Sequence, residues 1–324
     1  MTRPFRILIV AWALAFFANA TASGATECKL PRSFSDPHQV LHDEKKSLFW
    51  VRPLQVDADG TPNAYHRDDP HGNKGLAIEY LGNGMTIEQD GVAIPFNLIE
   101  KENGRWLEAY RKIVENDWKA TPEFSVDIYG FARDSKGNVC VKPGGRLISS
   151  SSLALRPRAA FCDQRRYVDA TKFPGIVVPN RTKDEASVKN ADLEVAPPFA
   201  RLGVARGDLA IVYYPETRRW SGAFLYDTGP RELLGEGSIR LSMNLLGKQA
   251  VPKSALETNS MGLVETYVVL FPGSVSTLGA RARWTPQEVE RAATKKFIEW
   301  GGGTIAEAMQ RLFACAEAYK KRQG

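Results

Sequence analysis

The sequence predicts a mainly β protein of the α+β class, with a compact barrel-like β core, peripheral helices and a pair of helices at the C-terminal end. Short runs of β-branched and aromatic residues recur between Gly, Pro and Asn turn signals through most of the chain. Two capped helical patterns then close the chain over residues 285–324. The 324 residues are 43% hydrophobic, which is ordinary for a globular protein, and they contain no internal repeat.

The first 25 residues have the pattern of a secretory signal peptide. A cationic start, MTRPFR, precedes the apolar run ILIVAWALAFFANA and the small residues TASGA. The apolar run is shorter than the ~20 residues that a membrane-spanning helix needs, so we expect no membrane anchor. The expected product is a single domain over residues 26–324, secreted or periplasmic.

Local signals place the central elements. The turn-rich stretch Lys46–Asp90 predicts short strands joined by ordered loops, and the apolar spacing over Arg105–Trp118 predicts a helix. Two strands, Leu209–Tyr214 and Ser221–Tyr226, are separated by the turn PETRR. The apolar face of the predicted central helix consists of Leu107, Tyr110, Ile113 and Val114.

Helix caps are the clearest signals in the second half of the chain. Ser238 is placed to cap a short helix that extends to Leu246. Thr285 and Thr304 each precede a glutamate by three residues, the spacing of a capping box, and predict helices over about 286–299 and 305–321.

Charge and cysteine content restrict the function. The net charge of +6 falls to +4 without Arg3 and Arg6, and the basic residues are scattered among acids. We therefore expect no nucleic-acid partner. An even number of four cysteines predicts two disulfides in an exported protein, and of three possible connectivities we favour Cys140–Cys162 with Cys28–Cys315. The cysteines lack the spacing of a zinc site, so no metal or other cofactor is expected.

Two carboxylates, Asp227 and Glu236, stand out in the stretch LYDTGPRELLGEGSIRLS. A strand that ends at Asp227 and a tight turn would fold the following segment back as a hairpin and bring the two acids together. Gly235 and Gly237 leave space beside Glu236 for a substrate or a neighbouring backbone. Glycosidases use two such carboxylates. The alternative is that both are ordinary acids of a surface turn, with Glu236 favoured by the positive end of the next helix.

A second acidic group lies in QVDADGTPNAYHRDDPHG. It predicts a cation site, an acidic subsite for a charged substrate, or simply solvated loop acids. Its chemistry-bearing residues are Asp57, Asp59, His66, Asp68, Asp69 and His71.

The ordered motifs YVDATKFPGIVVP, GDLAIVYYPETRRWSGAFLYDTGPRELLGEGSIRLSMNLLG, VLFPGS and FIEWGGG resemble glycoside hydrolase family 75, the fungal-type chitosanases and their bacterial relatives. The resemblance covers about 165–315 and extends back to VDADGTPNAYH and SSSSL. By analogy, the barrel is expected to be of the double-psi kind.

The resemblance implies an endo-acting, inverting hydrolase of β-1,4-glucosaminidic bonds in chitosan, with Asp227 and Glu236 as its catalytic acids. Tyr226 departs from the family pattern, where glycine is expected, and is predicted to alter the cleft wall. The other expected partners are a polysaccharide substrate and no second subunit. Substrate-binding roles are expected for Asp57, Asp59, Tyr65 and Thr228.

The assignment of the general acid stays open in the sequence. The start of the helix after Glu236 would lower the pKa of that carboxyl and favour Glu236 as the general base, whereas burial would raise the pKa and favour Glu236 as the general acid.

Two alternatives to a chitosanase also stay open: a hydrolase of another cell-wall polysaccharide, and a non-catalytic glycan-binding or cell-envelope protein on the same fold.

Overall fold

The computed structural model describes residues 27–323, except 36–37, 44–45, 70–73, 79, 97–103 and 181–194. The predicted signal peptide, His71 and most of the polar stretch before Val195 lie outside the described residues. In chain order the strands are β1 (Arg32–Ser35), β2 (Gln39–His42), β3 (Leu48–Asp57), β4 (Met85–Gln89), β5 (Val92–Ala93), β6 (Ser125–Ile128), β7 (Gly175–Pro179), β8 (Leu209–Tyr214), β9 (Arg219–Gly229), β10 (Glu236–Ser238) and β11 (Leu263–Phe271). The helices are α1 (Gly104–Glu115), α2 (Pro197–Arg201), α3 (Ile239–Leu246), α4 (Ala255–Asn259), α5 (Pro286–Gly301) and α6 (Ile305–Lys321).

Six strands close into a mixed β-barrel in the order β3-β10-β7-β9-β8-β11, with β11 pairing back onto β3. Two of its pairs, β3 with β10 and β7 with β9, are parallel, and the other pairs are antiparallel. The β1–β2 hairpin extends from β3 outside the closed ring. The predicted barrel-like core is confirmed, and its double-psi character stays a prediction.

A second layer lies beside the barrel. The small sheet β5-β4-β6 is covered by α1, which buries Trp106 and Ile113. Helix α3 joins the two layers, because its Leu241 packs into the barrel core while Ile239 and Met243 pack into the second core. The start of α3 is thereby fixed on both sides, and β10, which immediately precedes α3, is fixed with it.

The predicted hairpin between the two acids is wrong. Strands β9 and β10 do not pair with each other, because β7 lies between them and pairs with both. The turn between β9 and β10 crosses over one strand, so the two acids lie on alternate strands of the barrel wall.

The predicted helices are confirmed with one adjustment. Ser238 caps α3, Thr285 forms a complete capping box with Glu288, and Thr304 caps α6. Helix α1 ends at Glu115, earlier than predicted, because Trp118 adopts a left-handed backbone conformation. Its inner face is also rotated from the prediction and buries Trp106, Ala109, Tyr110 and Ile113.

Both predicted disulfides are present. Cys28–Cys315 ties the start of the described chain to α6, and Cys140–Cys162 closes a loop beside the second layer. Disulfides of this kind are consistent with folding in an oxidising compartment. Among the described residues, every helix is too short or too polar to cross a bilayer.

Candidate active site

Strand register brings the two predicted catalytic acids to one side of the barrel wall. Val177 on the intervening strand β7 lies opposite Asp227 on β9 and opposite Glu236 on β10. Residues that are directly opposite across a sheet point to the same face, so both acids lie on the face of Val177. Two strand spacings separate their Cα atoms, which is roughly 10 Å.

Asp57 ends β3 and lies opposite Ser238, two residues after Glu236. The hydroxyl of Tyr226 donates a hydrogen bond of 2.6 Å to Oδ2 of Asp57. Burial raises the pKa of the Asp57 carboxyl, and the bond from Tyr226 opposes that rise. The ring of Tyr226 fits because Gly175 leaves space: a Cβ at Gly175 would lie 2.3 Å from Cδ1 of Tyr226.

Asp59 lies in the loop that follows β3. Its Oδ1 accepts a 2.5 Å hydrogen bond from the hydroxyl of Tyr65, whose oxygen in turn accepts a 2.9 Å bond from Nδ2 of Asn83. Burial raises the pKa of Asp59 well above its usual value, and the charges of Asp57, Asp227 and, more weakly, Glu236 raise it further. The effect of all three charges on Asp59 indicates that the four carboxyl groups form one electrostatic cluster.

Asp227 is the most buried of the four, with 7% of its surface exposed. Its Oδ1 accepts hydrogen bonds from the backbone N–H groups of Ser152, at 3.0 Å, and Thr228, at 2.8 Å. Burial and then the charge of Asp57 raise the pKa of Asp227 well above its usual value, although these two bonds favour the charged form. Asp227 therefore keeps its proton at a pH where an exposed carboxyl has lost it.

Glu236 extends over Val177 towards β9. A Cβ placed on Gly229 would lie 2.2 Å from Oε2 of Glu236, so the carboxyl of Glu236 occupies the space that Gly229 leaves open. The backbone before Glu236 is held just as closely, because Gly235 has φ of 121° and its carbonyl accepts a bond from the N–H of Gln55. A side chain at Gly235 would meet the carbonyl oxygen of Pro53 at 2.3 Å.

The structure places the predicted substrate-binding residues around this cluster. Asp57 and Asp59 are members, while Tyr65 is 2% exposed and lies beneath them as a hydrogen-bond donor. Thr228 contributes its N–H to Asp227 and is half-buried.

The rest of the acidic stretch lies apart from the cluster. Asp69 is buried and accepts the N–H groups of Lys74 and Gly75, so it shapes a loop. Asp68 is exposed beside Arg67, and His66 bonds the carbonyl of Gly144. Within the described part of the chain, no three His, Cys, Asp or Glu side chains are arranged to hold a metal ion.

Three contacts of the site have no counterpart among the sequence-based predictions. Tyr226 is fully buried and holds Asp57 through its hydroxyl, and its effect on a cleft wall stays a prediction. Asn83, in the short 3-10 helix Tyr80–Gly84, donates to the hydroxyl oxygen of Tyr65, and the backbone N–H of Ser152 donates to Asp227. The unusual aromatic residue directly before a candidate acid was the one available signal, and the other two contacts carry no local signature.

The arrangement suits acid–base chemistry. Burial and neighbouring charges raise the pKa of Asp227 and of Asp59, which favours their protonated forms, and carboxyl groups in one cluster oppose each other's ionisation. A protonated and an ionised carboxyl on one face are the two groups that hydrolysis of a glycosidic bond requires.

No protein-family model matches the chain, and no curated protein matches it with significance.

Proposed function

We propose that this protein is a secreted or periplasmic, endo-acting glycoside hydrolase that cleaves β-1,4-glucosaminidic bonds of chitosan by single displacement. The observation that carries the proposal is the position of Asp227 and Glu236 on one face of the barrel wall, within a cluster that also holds Asp57 and Asp59. Four carboxyl groups in one cluster are costly to a fold, which favours a functional role for them.

Asp227 is the proposed general acid. Its raised pKa keeps a proton available for the leaving glycosidic oxygen, and the two N–H groups on Oδ1 direct the proton to Oδ2. These N–H groups also stabilise the carboxylate that remains after proton transfer.

Glu236 is the proposed general base that activates a water molecule. Inverting enzymes separate the two carboxyl groups by ~6.5–9.5 Å to admit that water. A Cα separation of two strand spacings, roughly 10 Å, with Glu236 extending back towards β9, is compatible with this range. Single displacement also predicts that the first product from a β-linked chain is the α-anomer.

The charge of the cluster supports an amino sugar as substrate. Chitosan carries protonated amines below the pKa of its amino groups, and ionised carboxylates attract them. Asp57 and Asp59 lie beside the proposed catalytic pair and can serve this role. The hydroxyls of Tyr226 and Tyr65 hold their carboxyl groups in place.

The test uses the full chain and soluble chitosans of graded acetylation. We expect the wild type to release reducing ends, with the α-anomer first by proton NMR. Glu236→Gln is expected to abolish release while leaving the thermal midpoint nearly unchanged. Glu232→Gln is the matched control, because Glu232 is an exposed carboxylate in the same β9–β10 connection.

Full activity of Glu236→Gln would overturn the assignment. Release of reducing ends from a different cell-wall polysaccharide only, still dependent on Glu236, would replace chitosan as the substrate. Retention of chitosan by the wild type without any product would favour the alternative of a non-catalytic glycan-binding protein.

A further inference from the structure

A groove of about 530 Å³ lies beside the carboxylate cluster and has the opposite charge. Its cationic lining comes from four separate segments of the chain, Lys74, Arg146, Lys172 and Lys253, and among the described residues its lining includes one carboxylate, Asp169. The volume is within the range of small-molecule sites. Concave surfaces lined by one sign of charge concentrate ions of the opposite sign.

The carboxylate of Asp169 is already paired with neighbouring groups. Oδ1 of Asp169 accepts bonds from the hydroxyls of Thr61 and Thr171, and Oδ2 pairs with Nζ of Lys172 at 3.0 Å. Burial acts to raise the pKa of Asp169, but these bonds prevail and hold it below its usual value. Asp169 is therefore an ionised link between the two walls, and the described lining holds no second carboxylate for Lys74, Arg146 and Lys253.

Both walls of the groove continue directly from the proposed catalytic cluster. One wall starts at Thr61, two residues after Asp59, a distance of at most ~7 Å along the chain. The other wall includes Thr171, whose carbonyl accepts a bond from Nε of Arg240, four residues after Glu236. Each wall is therefore connected within a few residues to a segment that carries one of the clustered acids.

We propose that the groove binds an anionic group, a carboxylate or a phosphate, on sugars that flank the cleaved bond. The inference rests on the proposed function and narrows its substrate class to glycans that carry both amines and anionic groups. Three cations that lack a carboxylate partner in this lining repel one another on a concave surface, and a bound anion would relieve that repulsion. The net charge of the whole chain is positive. A positive protein repels a purely cationic polymer, whereas the anionic groups of a mixed-charge glycan would be attracted to it.

The test measures binding by calorimetry with the full-length Glu236→Gln variant, so that hydrolysis plays no part. The probes are trigalacturonate for carboxylate, a phosphorylated oligosaccharide for phosphate, and a neutral glucose trimer. We expect at least one anionic probe to bind more tightly than the neutral trimer and to weaken as salt rises. Adding the substitutions Arg146→Gln and Lys253→Gln to this variant should raise the Kd of the anionic probe roughly tenfold or more. Lys119→Gln, an exposed lysine outside the groove, is the control and should leave binding unchanged.

Equal binding of anionic and neutral probes would overturn the proposal, and so would an equal loss in the Lys119→Gln control. Preference for one anionic probe identifies which anion the groove takes and supports the proposal. The outcome is separate from the proposed hydrolysis, because absence of activity on every glycan would refute the enzyme without affecting the binding measurement.

Discussion

At the scale of single residues, Gly229 controls the position of the proposed base. A methyl group there would lie 2.2 Å from Oε2 of Glu236 and 3.1 Å from Cγ1 of Val177. Because Gly229 has no left-handed backbone, Gly229→Ala adds the clash without backbone strain. We expect a fall in kcat of roughly 100-fold, a loss that displacement of a catalytic group by about an ångström can produce, with a small change in thermal midpoint.

Gly279→Ala is the matched control for this change. Gly279 also has an ordinary backbone conformation, and a Cβ placed there has no atom within 4 Å, so activity and stability should stay at wild-type levels. Equal kcat values for Gly229→Ala and wild type would show that the position of Glu236 does not limit the reaction.

Residue identities in the cluster were accessible from the sequence, whereas their mutual contacts were not. Asp227 and Glu236 lie between turn signals and Asp57 and Asp59 beside a DG pair, which marks them locally. The bond from Tyr226 to Asp57 spans 169 residues and depends on the order of strands in the barrel. No local pattern encodes such an order, so the acids were predicted to meet in a hairpin that does not exist.

At the scale of elements, the bounds of the helices could be predicted from the sequence, whereas the order of the strands could not. Caps and apolar spacing lie within one helix, and the predictions for α3, α5 and α6 were correct to within about two residues. The strand Leu209–Tyr214 was also predicted correctly. Its place between β9 and β11 is set by long-range packing, which local propensity does not determine.

A histidine that lies between β1 and β2 holds the connection between β9 and β10. Nε2–H of His38 donates to the carbonyl of Glu232 at 2.8 Å, and Nη2 of Arg52 donates to Nδ1 of His38 at 2.5 Å. Burial and then the charge of Arg52 lower the pKa of His38. Neutral His38 therefore links β3 to the connection that leads into Glu236.

Acidification is expected to release this connection. A histidine whose pKa is lowered by folding contributes stability that is present above its unfolded pKa of about 6.5 and is lost as pH falls through the folded value. We expect the amide of Leu233, which bonds the carbonyl of Pro230, to exchange with solvent faster at low pH, after correction for intrinsic exchange rates.

His38→Gln is the informative variant, because a glutamine amide can donate to Glu232 and accept from Arg52 without titrating. Its Leu233 amide should keep the same corrected protection across this pH range. An identical pH dependence in His38→Gln and the wild type would exclude His38 as the titrating group.

At the scale of the whole molecule, the carboxylate cluster is a cost to stability. The pKa of Asp59 is raised by burial, by Asp57 and by Asp227, so the folded state binds more protons than the unfolded state above about pH 3.9, the usual value for Asp. Stability linked to this group is fully present below that pH and is lost as pH rises through the folded pKa. A functional site built from repelling charges reduces stability in this way in many proteins.

Asp59→Asn should therefore raise the thermal midpoint at pH 7.5 and give little or no gain at pH 4. The asparagine oxygen can still accept the hydroxyl of Tyr65, so the variant removes charge while keeping the hydrogen bond. Thermal unfolding of the full chain at both pH values measures the effect, with Asp68→Asn, an exposed acid outside the cluster, expected to leave the midpoint unchanged. A loss of stability in Asp59→Asn at pH 7.5 would mean that the ionised Asp59 is a structural partner, and the cluster would then lack the repulsion on which the proposed acid–base pair depends.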